Sequence, residues 1–444
     1  MNGRQVLRLI LGLSITAIMI APSLGIHHPQ PLQGSRMPAD TPLHDGWLEE
    51  RGNVSILHLN GSYYEMGYQH GVLLDERIGV ALRAQLAAFE SHGYGYDDIL
   101  DVWQVMEPYL PGCYVAEMQG MADGSSLSFE QVAVLNTMPA LFNHMISCCE
   151  ISLWGDATAS GDLYHVRSFD WRLDVTDPET GRRLQDTLVI FVRNPAEAHA
   201  SMYPEYAGNI GCWSGFNERG IAIGEDTCLT TDTTFHGISA FFRMRMVLDR
   251  ASSADEAIDI ITNNRTCGWN FVISDARQPA GYALEQTANI SYVGTWDSDE
   301  EGMAPFWQIE DVIRRTPMFV TPQCAEVELD RVRYDPSGPL SFFWALTGKT
   351  YMFIPWTHYR ALSQEVERRY GTLDLNGTMD LLRDEYTGRT DLVFGVAVRV
   401  SNIYRSLFQW VACPSTGEMV VSFAGDDTRA CSMPVYYFRL DRLL

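Results

Sequence analysis

Two adjacent thiols, Cys148 and Cys149, stand at the head of a run whose spacing can build a nucleophile. Ile151 and Leu153 alternate with Glu150 and Ser152, which predicts a half-buried strand. Ala159-Ser160-Gly161-Asp162 is turn chemistry, and Leu163 to Trp171 reads as the partner strand. An antiparallel pair of this kind returns Arg167 and Asp170 towards the cysteines. A free thiol titrates near ~8.5 and is mostly protonated at neutral pH, whereas a neighbouring guanidinium favours the thiolate that attacks carbonyls. Arg167 fits that task. The plainer alternative is a surface ion pair beside two disulfide-forming cysteines.

The segment resembles the penicillin acyltransferase-like family of cysteine N-terminal-nucleophile (Ntn) hydrolases, whose relatives include acid ceramidase, N-acylethanolamine acid amidase and bile-salt hydrolase. The resemblance rests first on the cysteine, the strand ending in Trp154-Gly155, the Gly161 turn and Arg167-Ser168-Phe169-Asp170-Trp171, with Ser168 where Asn is usual. Asn60-Gly61-Ser62-Tyr63-Tyr64-Glu65-Met66-Gly67-Tyr68-Gln69-His70-Gly71 is similar to the family's opening, and Gly215-Phe216-Asn217-Glu218-Arg219-Gly220-Ile221-Ala222 to its Gly-x-Asn-Glu-x-Gly-Leu-Ala strand. Weaker similarity runs through Glu285 and Thr287 to Pro414-Ser415-Thr416-Gly417-Glu418, so that the likeness spans roughly Asn53 to Leu444.

The resemblance implies an αββα sandwich and autocatalytic maturation. The chain would cut itself between Ser147 and Cys148, and the new α-amine of Cys148, with a pKa near ~7.7–8, would serve as general base for its own thiol. The expected organisation is a signal peptide or membrane anchor over 1–25, a linker over 26–50, a helical segment over 51–147 that becomes the α chain, and a catalytic β chain over 148–444. The two chains remain associated. Neither cofactor nor metal is implied. Asp170 is expected to orient or charge-balance the α-amine and Arg167. Asn217 has two readings, as an amide donor to an oxyanion or as a hairpin residue. The counterpart of the family's Thr-Asn step is Arg315-Thr316-Pro317, which has no side-chain amide to offer.

Register separates the two cysteines. Counting from Cys148 puts the family's apolar third and fifth following positions on Ile151 and Leu153; counting from Cys149 puts them on Ser152 and Trp154. A one-residue slip turns every side chain to the other face. Cys148 is therefore the expected nucleophile, with Cys149 a small neighbour or half of a disulfide. Glu150 departs from the small residue usual there.

The expected function is a self-processing amidase that hydrolyses a linear N-acyl bond of a small molecule through a thioester. An acyltransferase using an amine acceptor and a secreted binding protein with a degenerate site are the alternatives. Composition agrees with an enzyme that has no polyanionic partner: over 444 residues, 46% hydrophobic, the net charge is −24, which disfavours nucleic acid and anionic lipid. Arg4 and Arg8 precede an apolar run from Leu9 to Ala21, with Ser23-Leu24-Gly25 as small residues for cleavage, which reads as an export signal or anchor. Nine cysteines without a Cys-x-x-Cys spacing suit an exported protein and not a zinc site.

Elements follow from capping and periodicity. Ser62 with Glu65 opens a helix to about Ser91; others are expected over 97–121, from Ser128 with Gln131 to about Phe142, and near 238–262, 308–315, 358–370 and 376–385. Strands recur near 150–155, 163–169, 187–193, 208–215, 220–226, 271–275, 281–286, 393–400, 405–412 and 418–423.

Overall fold

A computed structural model describes residues 46–141, 148–329, 353–388, 390–393, 396–399 and 405–444. Two sheets are stacked, with helices on both outer faces. The larger sheet has nine strands in the order β1 (Trp47–Arg51), β2 (Val54–Gly61), β5 (Leu188–Pro195), β6 (Ser201–Tyr206), β7 (Ser214–Asn217), β8 (Ile221–Thr227), β9 (Trp269–Asp275), β10 (Ala280–Gln286) and β11 (Ser291–Gly294). The smaller has six, in the order β12 (Val312–Arg315), β3 (Cys148–Gly155), β4 (Gly161–Asp170), β15 (Ser406–Cys413), β16 (Glu418–Phe423) and β17 (Tyr436–Arg439). Among these pairings only β2 with β5 is parallel. A separate hairpin joins β13 (Thr390–Val393) to β14 (Val396–Arg399).

Helices α1 (Tyr63–Ser91), α2 (Tyr96–Met106), α3 (Gly112–Gly124), α4 (Phe129–Thr137), α5 (Ala240–Arg250) and α6 (Ala254–Thr262) form the layer over the nine-stranded sheet; α7 (Phe353–Arg369) and α8 (Leu375–Gly388) cover the six-stranded one. This is the expected αββα arrangement. Both capping boxes form, Ser62 with Glu65 and Ser128 with Gln131. The glycines of the N-terminal motif are packing residues: a Cβ on Gly67 would lie 1.9 Å from the Glu117 carbonyl oxygen, so only glycine lets α1 and α3 cross this closely.

Several expectations are corrected. Residues 308–315 hold no helix; Val312–Arg315 is β12, paired antiparallel with β3, and because all four residues are buried the sequence shows no alternation there. The helix expected over 97–121 breaks at Pro108 and Pro111 into α2 and α3. The segment over 51–147 is not purely helical, since β2 enters the nine-stranded sheet, and the linker ends early because Trp47–Arg51 is already a strand. Of the strand expected over 208–215 only the end is realised, as Ser214–Asn217, while β1, β2, β6, β11 and β17 had no expectation. The nine cysteines are all free, Cys149 included. The segment over 1–25, most of the linker and Ser147 lie outside the described residues.

Candidate active site

The hairpin of β3 and β4 has two buried faces of opposite character. Glu150 and Ser152 point between the sheets: Glu150 accepts from the Val272 backbone at 2.8 Å, and Ser152 Oγ accepts from Ser274 Oγ at 2.8 Å. Cys149, Ile151 and Leu153 point the other way and pack with Leu362 and Val366 of α7 and Leu382 and Tyr386 of α8. Cys148 shares the face of Glu150 and lies opposite Phe169 in the ladder. Period-two geometry therefore sends the two thiols to different surroundings.

Arg167 reaches Cys148. Its Nη2 lies 3.4 Å from Cys148 Sγ and donates to Glu225 Oε1 at 2.6 Å, while Nη1 donates to the Ser168 carbonyl at 2.7 Å. Glu150 Oε1 stands 3.6 Å from Nε, and Asp226 Oδ1 3.6 Å from Nη1. All five side chains are buried. Gly224 makes room for them, since a Cβ there would sit 2.6 Å from Glu150 Oε1.

The charge balance differs from the sequence expectation. Burial pushes the Cys148 thiol well above its usual range, and Arg167 only partly offsets this, because its charge is shared with Glu225, Asp226 and Glu150. The thiol is held protonated. Burial also raises the carboxyls: Glu225 to about 8, Asp226 to about 7, and Glu150 well above the usual carboxylate range.

Asp170 lies at the end of β4 and faces Cys149's side. Its Oδ2 accepts from the Tyr386 hydroxyl at 2.7 Å and its Oδ1 from Ser168 Oγ at 2.8 Å. Tyr386 in turn is 3.7 Å from Cys149 Sγ. The residue that replaces the usual Asn is thus engaged, with Ser168 Oγ also accepting from Gln409 at 3.2 Å. The charge of Asp170 still acts on Cys148 and helps hold its thiol up, after burial and the other acids.

Asn217 is not brought to this cluster. Its amide donates to the carbonyls of Leu248 and Ala251 at 3.0 and 2.9 Å, and its Oδ1 accepts from the backbone of Arg219 and Ile221. Both ends are spent on closing the β7–β8 turn and the C-terminus of α5, at the end of β8 remote from Glu225 and Asp226. The hairpin reading is the one the geometry carries. Thr316 donates to the Pro355 carbonyl at 3.0 Å, and Arg315 binds Glu285 and Glu301, so that step supports structure too.

Glu225 and Asp226 had no place in the sequence reading. The available signal was a charged pair directly after Ile221-Ala222-Ile223-Gly224 in a strand expected to be buried. His358 of α7, paired with Glu385 at 2.8 Å, is also near; although burial works against its charge, Glu385, Asp170 and Asp226 hold its pKa up. Among the described residues no group of three or more His, Cys, Asp or Glu is arranged to hold a metal ion. No helix among them is long and apolar enough to cross a membrane.

A fold of two stacked sheets between helices, with an Arg-supported cysteine at the head of an inner strand, defines the class. Residues 160–294 match the family model of acyl-coenzyme A:6-aminopenicillanic acid acyl-transferase. The likeness to that family seen in the motifs is therefore met on the segment that holds Arg167, Asp170, Glu225 and Asp226. The chain is 25% identical over 285 residues to Protein dcd1B of Dictyostelium discoideum, covering 58% of this chain and 55% of that one. It is 23% identical over 376 residues to dcd1A of the same organism, covering 77% and 76%. The chain spans about half the length of the first of these relatives. Among solved structures it is similar to the Caenorhabditis elegans N-acylethanolamine-hydrolyzing acid amidase ortholog (12% identity, 66% of this chain and 100% of that one, TM-score 0.38). It is also similar to penicillin V acylase of Agrobacterium tumefaciens (13% identity, 66% and 87%, TM-score 0.38).

Proposed function

We propose that this protein is a self-processing amidase in which Cys148, exposed as a new chain terminus, attacks the carbonyl of a linear N-acyl substrate. One observation carries the reading: of the two adjacent thiols, Cys148 alone lies against a guanidinium, with Arg167 Nη2 3.4 Å from its sulfur. The thiol is held protonated by its burial, so the chemistry needs a base close by. The α-amine of Cys148 is that base. It takes the thiol proton, the sulfur forms a thioester with the acyl group, and the amine returns the proton to the leaving nitrogen; water then frees the acid.

Transfer of the acyl group to an amine is the second reading, favoured by the description of the matching family model. The two differ in the nucleophile that enters last. The part before Cys148 stays attached after cutting, supported by the β2–β5 pairing and by Arg193 against Glu117 at 2.9 Å. Export fits the basic and apolar N-terminus.

The test is to incubate wild type with a panel of N-acyl amides, quench in acid and look by mass spectrometry for an acyl adduct on the peptide beginning at Cys148. An adduct there, lost on treatment with hydroxylamine, is expected. An adduct on Cys149, or turnover surviving Cys148→Ala, contradicts the assignment.

A further inference from the structure

Attack of a thiol on an amide carbonyl puts negative charge on the carbonyl oxygen, and a donor fixed at that oxygen lowers the barrier. Neither Asn217 nor Asn270 can serve. Asn217 holds the β7–β8 turn, and Asn270, opposite Asp226 in the β8–β9 ladder, donates to the carbonyls of Thr316 and Met318 at 3.0 and 2.7 Å. Trp410 donates to Ser214 Oγ at 3.0 Å.

Tyr206 is different. It ends β6, is fully buried, and its hydroxyl has no hydrogen-bond partner among the described residues. Buried phenols normally find one: Tyr114 and Tyr386, equally buried, donate to Asp249 and Asp170. The Tyr206 ring packs T-shaped on Phe169, centroids 6.1 Å apart, and Phe169 is the residue opposite Cys148 in the β3–β4 ladder. Tyr206 therefore reaches across the seam, from the nine-stranded sheet to the strand pair that carries the proposed nucleophile. Its place is fixed from both sides. Phe169 also stacks on Phe408 at 5.0 Å, and Glu205 accepts from the backbone of Tyr206 and Trp213 at 2.8 and 3.0 Å and from Asn209 at 2.9 Å, which holds the turn leaving β6. Burial, with Glu205 and Cys148 adding to it, keeps the phenol well above its usual range, so it remains a donor when a thiolate forms beside it.

We propose that the Tyr206 hydroxyl is the donor to the oxyanion that develops when Cys148 adds to the N-acyl carbonyl. The inference rests on the amidase reading above. The Cys148 sulfur bonds the carbonyl carbon, the π pair of the C=O bond moves onto oxygen, and that oxygen accepts from Tyr206 Oη without taking its proton. When the pair returns, the C–N bond breaks and the leaving nitrogen takes its proton from the α-amine. Hydrolysis of the thioester passes through a second oxyanion on the same carbon, so the hydroxyl acts in both halves of the reaction.

The test is Tyr206→Phe, which deletes one oxygen and keeps the ring. The probe is the N-acyl amide of the panel that wild type turns over fastest, with kcat counted per cut chain. The substitution removes a hydroxyl that the folded protein leaves unpartnered, so Tm stays level or rises, while kcat falls about 10²- to 10³-fold with KM little changed. Self-cutting begins with the same sulfur adding to the carbonyl before it, so a variant with wild-type Tm that stays uncut also bears the proposal out. A kcat within about twofold of wild type, a rise in KM alone, or a fall in kcat matched by a fall in Tm overturns the role of the hydroxyl and leaves the nucleophile standing. A wild-type protein that forms no acyl adduct on Cys148 overturns the amidase reading and this inference with it. If Tyr206→Phe does not fold, 3,5-difluorotyrosine placed at 206 keeps the hydroxyl and makes it a stronger donor; kcat then rises, and an unchanged or lowered kcat overturns the role.

Discussion

Two buried arginine networks lie on opposite faces of the nine-stranded sheet, and only one is balanced. In the outer network Arg193 and Arg245 meet Glu117 and Asp249, with Arg193 Nη1 2.9 Å from Glu117 and Arg245 Nε 2.8 Å from Asp249. Tyr63 and Tyr114 donate their hydroxyls to Asp249 at 2.9 and 3.0 Å, and Arg245 donates to the Ile210 carbonyl at 2.8 Å. Two guanidinium groups face two carboxylates. In the inner network one guanidinium, Arg167, faces Glu150, Glu225 and Asp226. Acid also exceeds cation at Arg315, which faces Glu285 and Glu301, but there every carboxyl oxygen is engaged; around Cys148, Glu150, Glu225 and Asp226 together leave four oxygens without a hydrogen-bond partner among the described residues. The outer network holds the N-terminal segment to the rest; the inner one surrounds the proposed nucleophile.

Arg167→Met breaks the contrast most severely. It leaves three buried acids without a cation, costs about 3–5 kcal/mol in a urea melt, and abolishes both cutting and turnover. Arg167→Lys keeps a charge but not the fork that spans Cys148, Glu225 and Asp226, and recovers stability more than turnover. Next in size, Asp249→Asn in the balanced network lowers stability by about 3 kcal/mol, whether or not the chain is cut.

Asn217→Ala sharpens the same distinction. It loses two donations to carbonyls at the end of α5 and two accepted bonds in the turn, so stability falls by about 1–3 kcal/mol while kcat of the folded fraction is unchanged. A large fall in kcat with normal stability would return Asn217 to the site. The smallest effect is that of Cys149→Ala, which removes one sulfur from the face packed by α7 and α8 and costs about 1 kcal/mol, with cutting intact.

Legibility in the sequence followed periodicity. The β3–β4 hairpin was readable because Glu150 and Ser152 alternate with Ile151 and Leu153, and that alternation also separated Cys148 from Cys149. Which face was the chemical one was not readable: the polar side of β3 is not solvent but the seam between two sheets, where Glu150 receives the Val272 backbone. For the same reason β12 was misread, because strands covered on both faces show no alternation. Arg167 was legible from its spacing to the cysteine; its counter-ions were not, since Glu225 and Asp226 meet it only through the stacking of β8 on β4. Asn217 carried a motif and turned out to carry a turn. Residues such as His358 and Tyr386 arrive from α7 and α8, more than 180 positions along the chain from Arg167, a separation no local pattern encodes.

The account depends on Cys148 becoming a chain terminus. Intact-mass spectrometry of freshly purified wild type, with the larger fragment sequenced from its amino end, addresses this directly. Two fragments are expected, the larger beginning at Cys148, and a single uncut chain for Cys148→Ala. A wild-type chain that remains whole while turning over substrate, or one cut before Cys149 instead, contradicts it.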